Sequence, residues 1–138
     1  MEAEFQAAVY ERLTFDPFLE AEGVTVYDTR PQGEDGIADS NLPAIEVGEI
    51  DARDWGTKTD DGLDLILRVH SFMSGGSKAD LRALQTLIFK ALHKKQAELS
   101  MTGGHVVLIR RESSRVLPDK APLHGVCEYR ALVEISGG

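Results

Sequence analysis

The stretch GLDLILRVHSFMSGGSKADLRALQTLIFKALHKKQAEL, residues 62–99, decides how this chain folds. Residues 63–73 predict a β-strand, because apolar side chains recur at every second position on one face. Those positions are Leu63, Leu65, Leu67 and Val69. The opposite face mixes polar and apolar side chains, so we expect it to be only partly exposed to water.

The second half of this stretch predicts a helix that packs on the strand. Gly75 and Gly76 end the strand, and Ser77 with Asp80 three residues later is the pattern of a helix N-terminal cap. Apolar residues follow at helical spacing, and we expect one continuous helix over residues 78–98. A strand and an amphipathic helix joined in this way form a packing unit of the core.

The remaining elements place this unit in an α+β fold of one domain, residues 1–138. Apolar spacing predicts a first helix over residues 2–13, and alternation predicts further strands over residues 24–28, 43–50, 105–117 and 125–135. The order is helix, three strands, helix, two strands, so we expect an antiparallel sheet of four to five strands with the two main helices on one side. Two long loops, residues 29–42 and 51–62, interrupt the pattern.

Composition argues against several classes of protein. The chain has 138 residues, 42% of them hydrophobic and 28% charged, which is ordinary for a globular domain. It has no apolar run long enough to cross a bilayer, and we predict no signal peptide, since Met1 leads into a polar, acidic helix. Cys127 is the only cysteine, so no internal disulfide forms, which favours a reducing compartment. The net charge of −8 argues against sequence-independent nucleic-acid binding.

Charge divides unevenly along the chain. Residues 1–64 contain 17 acidic and 4 basic residues, whereas residues 65–138 contain 6 acidic and 11 basic residues. This asymmetry is consistent with a surface that has an acidic and a basic side. The alternative is that the two halves interleave in the fold and their charges mix.

Trp55, the only tryptophan, lies in the acidic loop of residues 51–62. A tryptophan in a polar loop is typical of an anchor that contacts a partner. The alternative is that the indole folds back and caps the core.

The sequence shows no pattern of catalysis, cofactor binding or metal binding. It lacks a phosphate-binding glycine motif and a nucleophile elbow. Its four histidines have no second ligand at a metal-binding spacing, and the spacing of His124 and Cys127 places them on opposite faces of a strand. We therefore predict a protein that is not an enzyme and has no cofactor.

Seven segments, in order, resemble a phage tail-completion family that was long catalogued only as a domain of unknown function. They are VYDTRPQG at 26–33, PAIEVGE at 43–49, DWGTKTDDG at 54–62, HSFMSGG at 70–76, ALH at 91–93, SRVLPD at 114–119 and HGVCEYRALVE at 124–134. The likeness covers nearly the whole chain, and its most specific parts are the DWGTKT loop and the final segment.

The resemblance implies a structural protein, the tail terminator of a long-tailed phage or of a gene transfer agent. Members of that family resemble other terminators, which assemble as a hexameric ring that caps the tail tube, stops its growth and presents a docking surface for head-tail joining. The implied partners are further copies of the chain, the major tail tube protein and the head-tail connector or stopper protein, with DNA only in transit through the lumen and no membrane. The implied location is the head-proximal end of the virion tail, after assembly in the bacterial cytoplasm. The alternative function is a small non-enzymatic adaptor or binding domain, monomeric or dimeric, without a virion role.

A ring requires two different patches that meet head to tail, and the uneven charge provides two candidates. We predict contact between one loop and a basic patch of the next subunit. The loop residues are Asp54, Trp55, Lys58, Asp60 and Asp61, and the basic residues are Lys90, Lys94, Arg111 and Arg115. In a continuous helix one turn separates Lys90 from Lys94, and in a regular strand Arg111 and Arg115 share a face. The alternative is a ring joined by apolar or strand-edge contacts.

Overall fold

The structure is a computed structural model that describes residues 1–31, 36–56, 61–117 and 122–136. The elements are α1 (Glu2–Thr14), α2 (Pro17–Ala21), β1 (Thr25–Tyr27), β2 (Ala44–Asp54), β3 (Gly62–Met73), α3 (Lys78–Leu92), β4 (Gly104–Leu117) and β5 (Leu123–Ile135), with 3-10 turns at Asp39–Asn41 and Gln96–Glu98. The strands form one sheet in the order β1-β2-β3-β5-β4. This confirms the predicted α+β class. None of the described helices is long and apolar enough to span a membrane.

The core lies between the helices and one face of the sheet. α1 and α3 bury their apolar stripes against the alternating apolar residues of β3 and β5. The fully buried members include Phe5, Val9 and Leu13 of α1, Leu81 and Ile88 of α3, Leu65, Leu67 and Val69 of β3, and Tyr129 and Val133 of β5. The two stripes that the sequence predicted are therefore the two sides of the core.

Turn residues set the helix starts. Ser77 caps α3 as predicted, because its Oγ accepts from the Asp80 N–H at 3.2 Å while the Asp80 carboxylate accepts from the Ser77 N–H at 2.9 Å. α1 ends before Asp16 and Pro17. The short helix α2, which the sequence did not predict, starts there because the Asp16 carboxylate accepts from two backbone N–H groups at 3.0 Å each.

One pair of strands departs from the expected antiparallel arrangement. β1 runs parallel to β2, while the pairs β2–β3, β3–β5 and β4–β5 are antiparallel. A parallel pair requires a connection long enough to carry the chain back to the same end of the sheet. Residues 28–43 provide that length, so the sheet is mixed.

The predicted loop over residues 51–62 was wrong at its start, because β2 continues to Asp54 opposite Leu63. A bulge between Val47 and Ile50 shifts the register, and pairing then resumes. Residues 51–54 are exposed. Because water reaches this part of the strand, it needs no apolar alternation, and the polar sequence concealed it.

The predicted continuous helix over residues 78–98 was also wrong beyond Leu92. Beyond Leu92 the chain forms hydrogen bonds with β4 instead of continuing the helix. The Lys94 N–H donates to the Ile109 carbonyl at 2.8 Å, and His93 Nδ1 accepts from the Arg111 N–H at 3.1 Å. Lys94 takes a φ of 59° and therefore does not lie one helical turn beyond Lys90.

Candidate functional site

The face of the sheet opposite the core carries charged and aromatic side chains from four strands. Alternation along each strand and the register between strands place these residues on one side. We call it the helix-free face. Its residues are Glu46, Glu49, Asp51 and Arg53 of β2, Asp64, Arg68, His70 and Phe72 of β3, His124, Glu128 and Arg130 of β5, and Arg110, Ser113 and Arg115 of β4.

Asp64 is the most buried carboxylate of this face, with 6% of its surface exposed. Arg130 donates two hydrogen bonds to Asp64, from Nε at 3.0 Å and from Nη2 at 2.8 Å, and Arg53 Nη2 donates a third at 3.1 Å. These bonds, led by those from Arg130, outweigh the effect of burial and lower the pKa of Asp64. The same contact raises the pKa of Arg130. The three residues belong to β3, β5 and β2, so the cluster ties three strands together.

A second ion-pair cluster lies beside the first and extends to β4. Arg68 contacts Asp51 at 3.3 Å and Glu128 at 3.1 Å, and the Ser113 hydroxyl donates to Glu128 at 3.2 Å. Asp51 is 70% exposed, so its pair with Arg68 is weak. That pair contributes more to the charge balance of the face than to stability.

Histidines and aromatic rings occupy the other end of the face. His70 Nε2 lies 2.9 Å from Glu49 Oε1, and His70 Nδ1 lies 2.9 Å from His124 Nε2. The rings of Phe72 and His124 stack with centroids 4.5 Å apart. Gly48 leaves space for His70, since a Cβ there would lie 2.7 Å from the imidazole. Burial raises the pKa of Glu49, but the hydrogen bond and the charge of His70 together lower it by more than burial raises it. The net shift of the Glu49 pKa is therefore downward.

Three side chains at this end have the chemistry of metal ligands. Atoms of Glu46, Glu49 and His70 lie within 4.8 Å of one another. Sequence spacing did not find this group, because β2 and β3 bring it together across the hairpin. Each member is already engaged within the protein: His70 bonds Glu49, and Glu46 accepts from the Arg30 N–H at 2.9 Å with Arg30 Nε 3.7 Å away. Glu46, Glu49 and His70 therefore all have ion-pair or hydrogen-bond partners within the protein.

Trp55 lies at the hairpin end of the helix-free face and is 39% exposed. Its ring packs on Gly62, where a Cβ would lie 2.7 Å from Trp55 Cε3, and the backbone N–H of Trp55 donates to the Gly62 carbonyl at 2.9 Å. The indole is thus held against the sheet but leaves part of its surface open to a partner. Asp54 and Asp61 are exposed beside it. Lys58 and Asp60 lie outside the described residues.

The predicted basic residues do not form one patch. Lys90 and Lys94 are exposed on the helix side, and Arg111 places its guanidinium 4.4 Å from the centre of the Phe89 ring on α3. Arg115 stands opposite Val126, on the helix-free face. The prediction that Arg111 and Arg115 share a face was wrong, because a bulge between Arg111 and Ser113 reverses the alternation.

The two edges of the sheet carry opposite charge. β1 covers only Ala44–Glu46 of β2, and in the described part of the chain no strand pairs with the rest of that edge or with the outer edge of β4. β2 contains four carboxylates and one arginine, whereas β4 contains three arginines and one glutamate. Both sequence alternatives are therefore realised, since charges mix on the helix-free face and separate at the edges.

Two aromatic side chains that the sequence did not single out are exposed on the helix layer. Phe15 is 73% and Phe18 is 70% exposed. Phe18 borders an open groove of about 380 Å³ whose cationic lining comes from Arg12, Lys90 and Lys95. Exposed aromatic rings beside cationic side chains are typical of a contact surface.

The comparisons with known proteins agree with this description. The sequence profile of the family described as Tail completion protein gp17 matches residues 7–134. No curated protein matches the chain. A chain of the solved structure titled "Virion of native gene transfer agent (GTA) particle" superposes with a TM-score of 0.78 over 99% of this chain and 97% of that chain. At 22% identity this likeness shows a shared fold. The family resemblance of the sequence is confirmed: the chain belongs to the tail completion protein gp17 family and is a structural protein of a virion tail.

Proposed function

We propose that this protein is the tail terminator of its particle. It forms a hexameric ring at the head-proximal end of the tail tube, stops the growth of the tube and presents the docking surface for the head connector. The observation that carries the proposal is the family match across residues 7–134. The protein acts by contact, without catalysis or a cofactor, on the tube protein, the connector and its own copies.

Head-to-tail contact between subunits fits the positions of the candidate residues. Asp54, Trp55 and Asp61 lie at the β2–β3 hairpin, while Arg111 and Arg115 lie on β4 at the other edge of the sheet. Two different patches on opposite edges are what a closed ring requires. In this proposal the indole supplies most of the affinity and the charges select the partner. Lys58, Asp60, Lys90 and Lys94 remain candidates for the same interface.

DNA in transit through the lumen fits the charge pairing of the helix-free face. Arg53 and Arg130 are bound to Asp64, and Arg68 is shared between two carboxylates. A phosphate would have to compete with these carboxylates for each guanidinium, so DNA slides past with little retention. The exposed Phe15 and Phe18 on the helix layer suit a more permanent contact with the tube protein or the connector.

Deletion of the gene in a particle-producing host tests the terminator role. We expect tails of uncontrolled length and heads without tails in negative-stain electron microscopy, and restoration of both features by the wild-type gene. Tails of normal length that are joined to heads in the deletion strain would refute the role. They would favour the alternative of a small adaptor or binding domain.

A further inference from the structure

We infer that neighbouring subunits join edge to edge, with the free part of β2 in one copy pairing with β4 of the next copy. This inference rests on the proposed ring and specifies how it closes. It starts from the unpaired backbone of two edge strands, not from side-chain contacts. From Gly48 to Asp54 on β2, and along β4, the described residues offer no neighbouring strand, although the Lys94 N–H and His93 Nδ1 already bond the backbone of Ile109 and Arg111 on β4.

Such edges are natural sites for strand addition. An unpaired edge presents a row of N–H and C=O groups that another chain can extend into a ladder. β2 has 7 residues from Gly48 to Asp54, and β4 continues for 6 residues beyond Arg111 to Leu117, which is enough for a short ladder between the two edges. An edge-to-edge ring would cover the free parts of both edges.

The strand directions fit this joint. β2 and β5 run one way, and β3 and β4 run the other way. Copies related by rotation about a ring axis keep these directions, so β4 of one copy meets β2 of the next in antiparallel orientation. The alternation of the sheet then continues from subunit to subunit. The contact is heterologous, which is the condition for a closed ring.

Charge selects which edges meet. Glu49, Asp51 and Asp54 are exposed on β2, and Arg110 and Arg115 are exposed on β4. Two copies of the same edge repel each other, because like charges on paired strands are unfavourable. Unlike edges attract, so the acidic edge accepts only the basic edge of another copy. The occupant of each edge is therefore a second copy of this chain.

A mixing experiment tests the inference. Variant A carries Arg110→Glu with Arg115→Glu, and variant B carries Asp51→Lys with Asp54→Lys, so each variant has two edges of the same sign. Alone, each should need at least about tenfold more protein than wild type to form rings, the equivalent of 1.4 kcal/mol or more. Mixed in equal amounts, A and B should recover wild-type assembly, because each edge of A then complements an edge of B. Native mass spectrometry should find equal numbers of A and B in each ring.

A further variant separates the edges from other charged surfaces. Lys78→Glu with Arg82→Glu makes the same change of charge on the exposed face of α3 and should assemble like wild type. Circular dichroism melting confirms that every variant is folded.

The inference is overturned if A and B assemble like wild type, if their mixture gives no rings, or if wild type forms no ring even with purified tails added. The terminator role is judged separately by tail length in the deletion strain. Rings that ignore the edge charges would therefore refute the edge joint and leave the proposed function standing.

Discussion

Replacing Asp64 by asparagine measures how much the buried ion cluster of the helix-free face contributes to stability. The substitution keeps the size of the side chain but removes the charge that holds two arginines. Bonds from Arg130 at 2.8 and 3.0 Å to a carboxylate that is 6% exposed have a combined value of about 1.5–3 kcal/mol. The contact with Arg53, which is 76% exposed, adds about 0–1 kcal/mol. The two contributions sum to about 1.5–4 kcal/mol. We expect a loss near the middle of this range, about 2–3 kcal/mol, or a fall in Tm of roughly 6–12 °C for a chain of this size.

Thermal unfolding followed by circular dichroism at neutral pH gives this difference directly. Asp51→Asn is the matched control, because Asp51 lies on the same face but is 70% exposed and should cost less than about 1 kcal/mol. A Tm for Asp64→Asn within about 2 °C of the control would refute the reasoning.

The same variant carries a pH signature. Because the folded-state pKa of Asp64 is lowered, its contribution is complete above the unfolded-state pKa and is lost as pH falls through the folded-state value. The gap in stability between wild type and Asp64→Asn should therefore stay constant from neutral pH to about pH 5 and shrink below about pH 4. A gap that widens with acid would show that another group is responsible.

Three substitutions test other parts of the fold. Leu84→Asp should unfold or aggregate the protein, since Leu84 is 3% exposed and a buried unpaired charge costs several kcal/mol. Arg82→Asp is the exposed control. A soluble Leu84→Asp protein with an unchanged Tm would refute the burial of this face of α3. Gly62→Val should displace the Trp55 ring, seen as a red shift of tryptophan fluorescence, and an unchanged spectrum would contradict the packing. Tyr129→Phe should leave stability unchanged or raise it by up to about 1 kcal/mol, because in the described structure the buried hydroxyl has no hydrogen-bond partner; a clear loss measured by urea unfolding would reveal one.

Local patterns predicted those elements whose apolar residues face the core. The alternation of β3, the Ser77 cap and the stripe of α1 all reappear, because burial on one side imposes a period that short windows of sequence display. Prediction failed where that condition was absent. The polar end of β2 is exposed to water. The helix α3 ends at Leu92 because the Ile109 carbonyl on β4 accepts a hydrogen bond from the Lys94 N–H.

The candidate functional site was likewise predicted only in part. Trp55 and the charge asymmetry were visible in the sequence, since both depend only on which residues are present. The helix-free face was not, because Asp64 meets Arg130 across 66 residues and Glu49 meets His70 across a hairpin. By itself, the sequence determined the family, the α+β class, the composition of the core and the separation of acidic from basic segments. Only the tertiary structure decided that the acidic and basic strands stand at opposite edges of one sheet, because strand order is a property of long-range pairing.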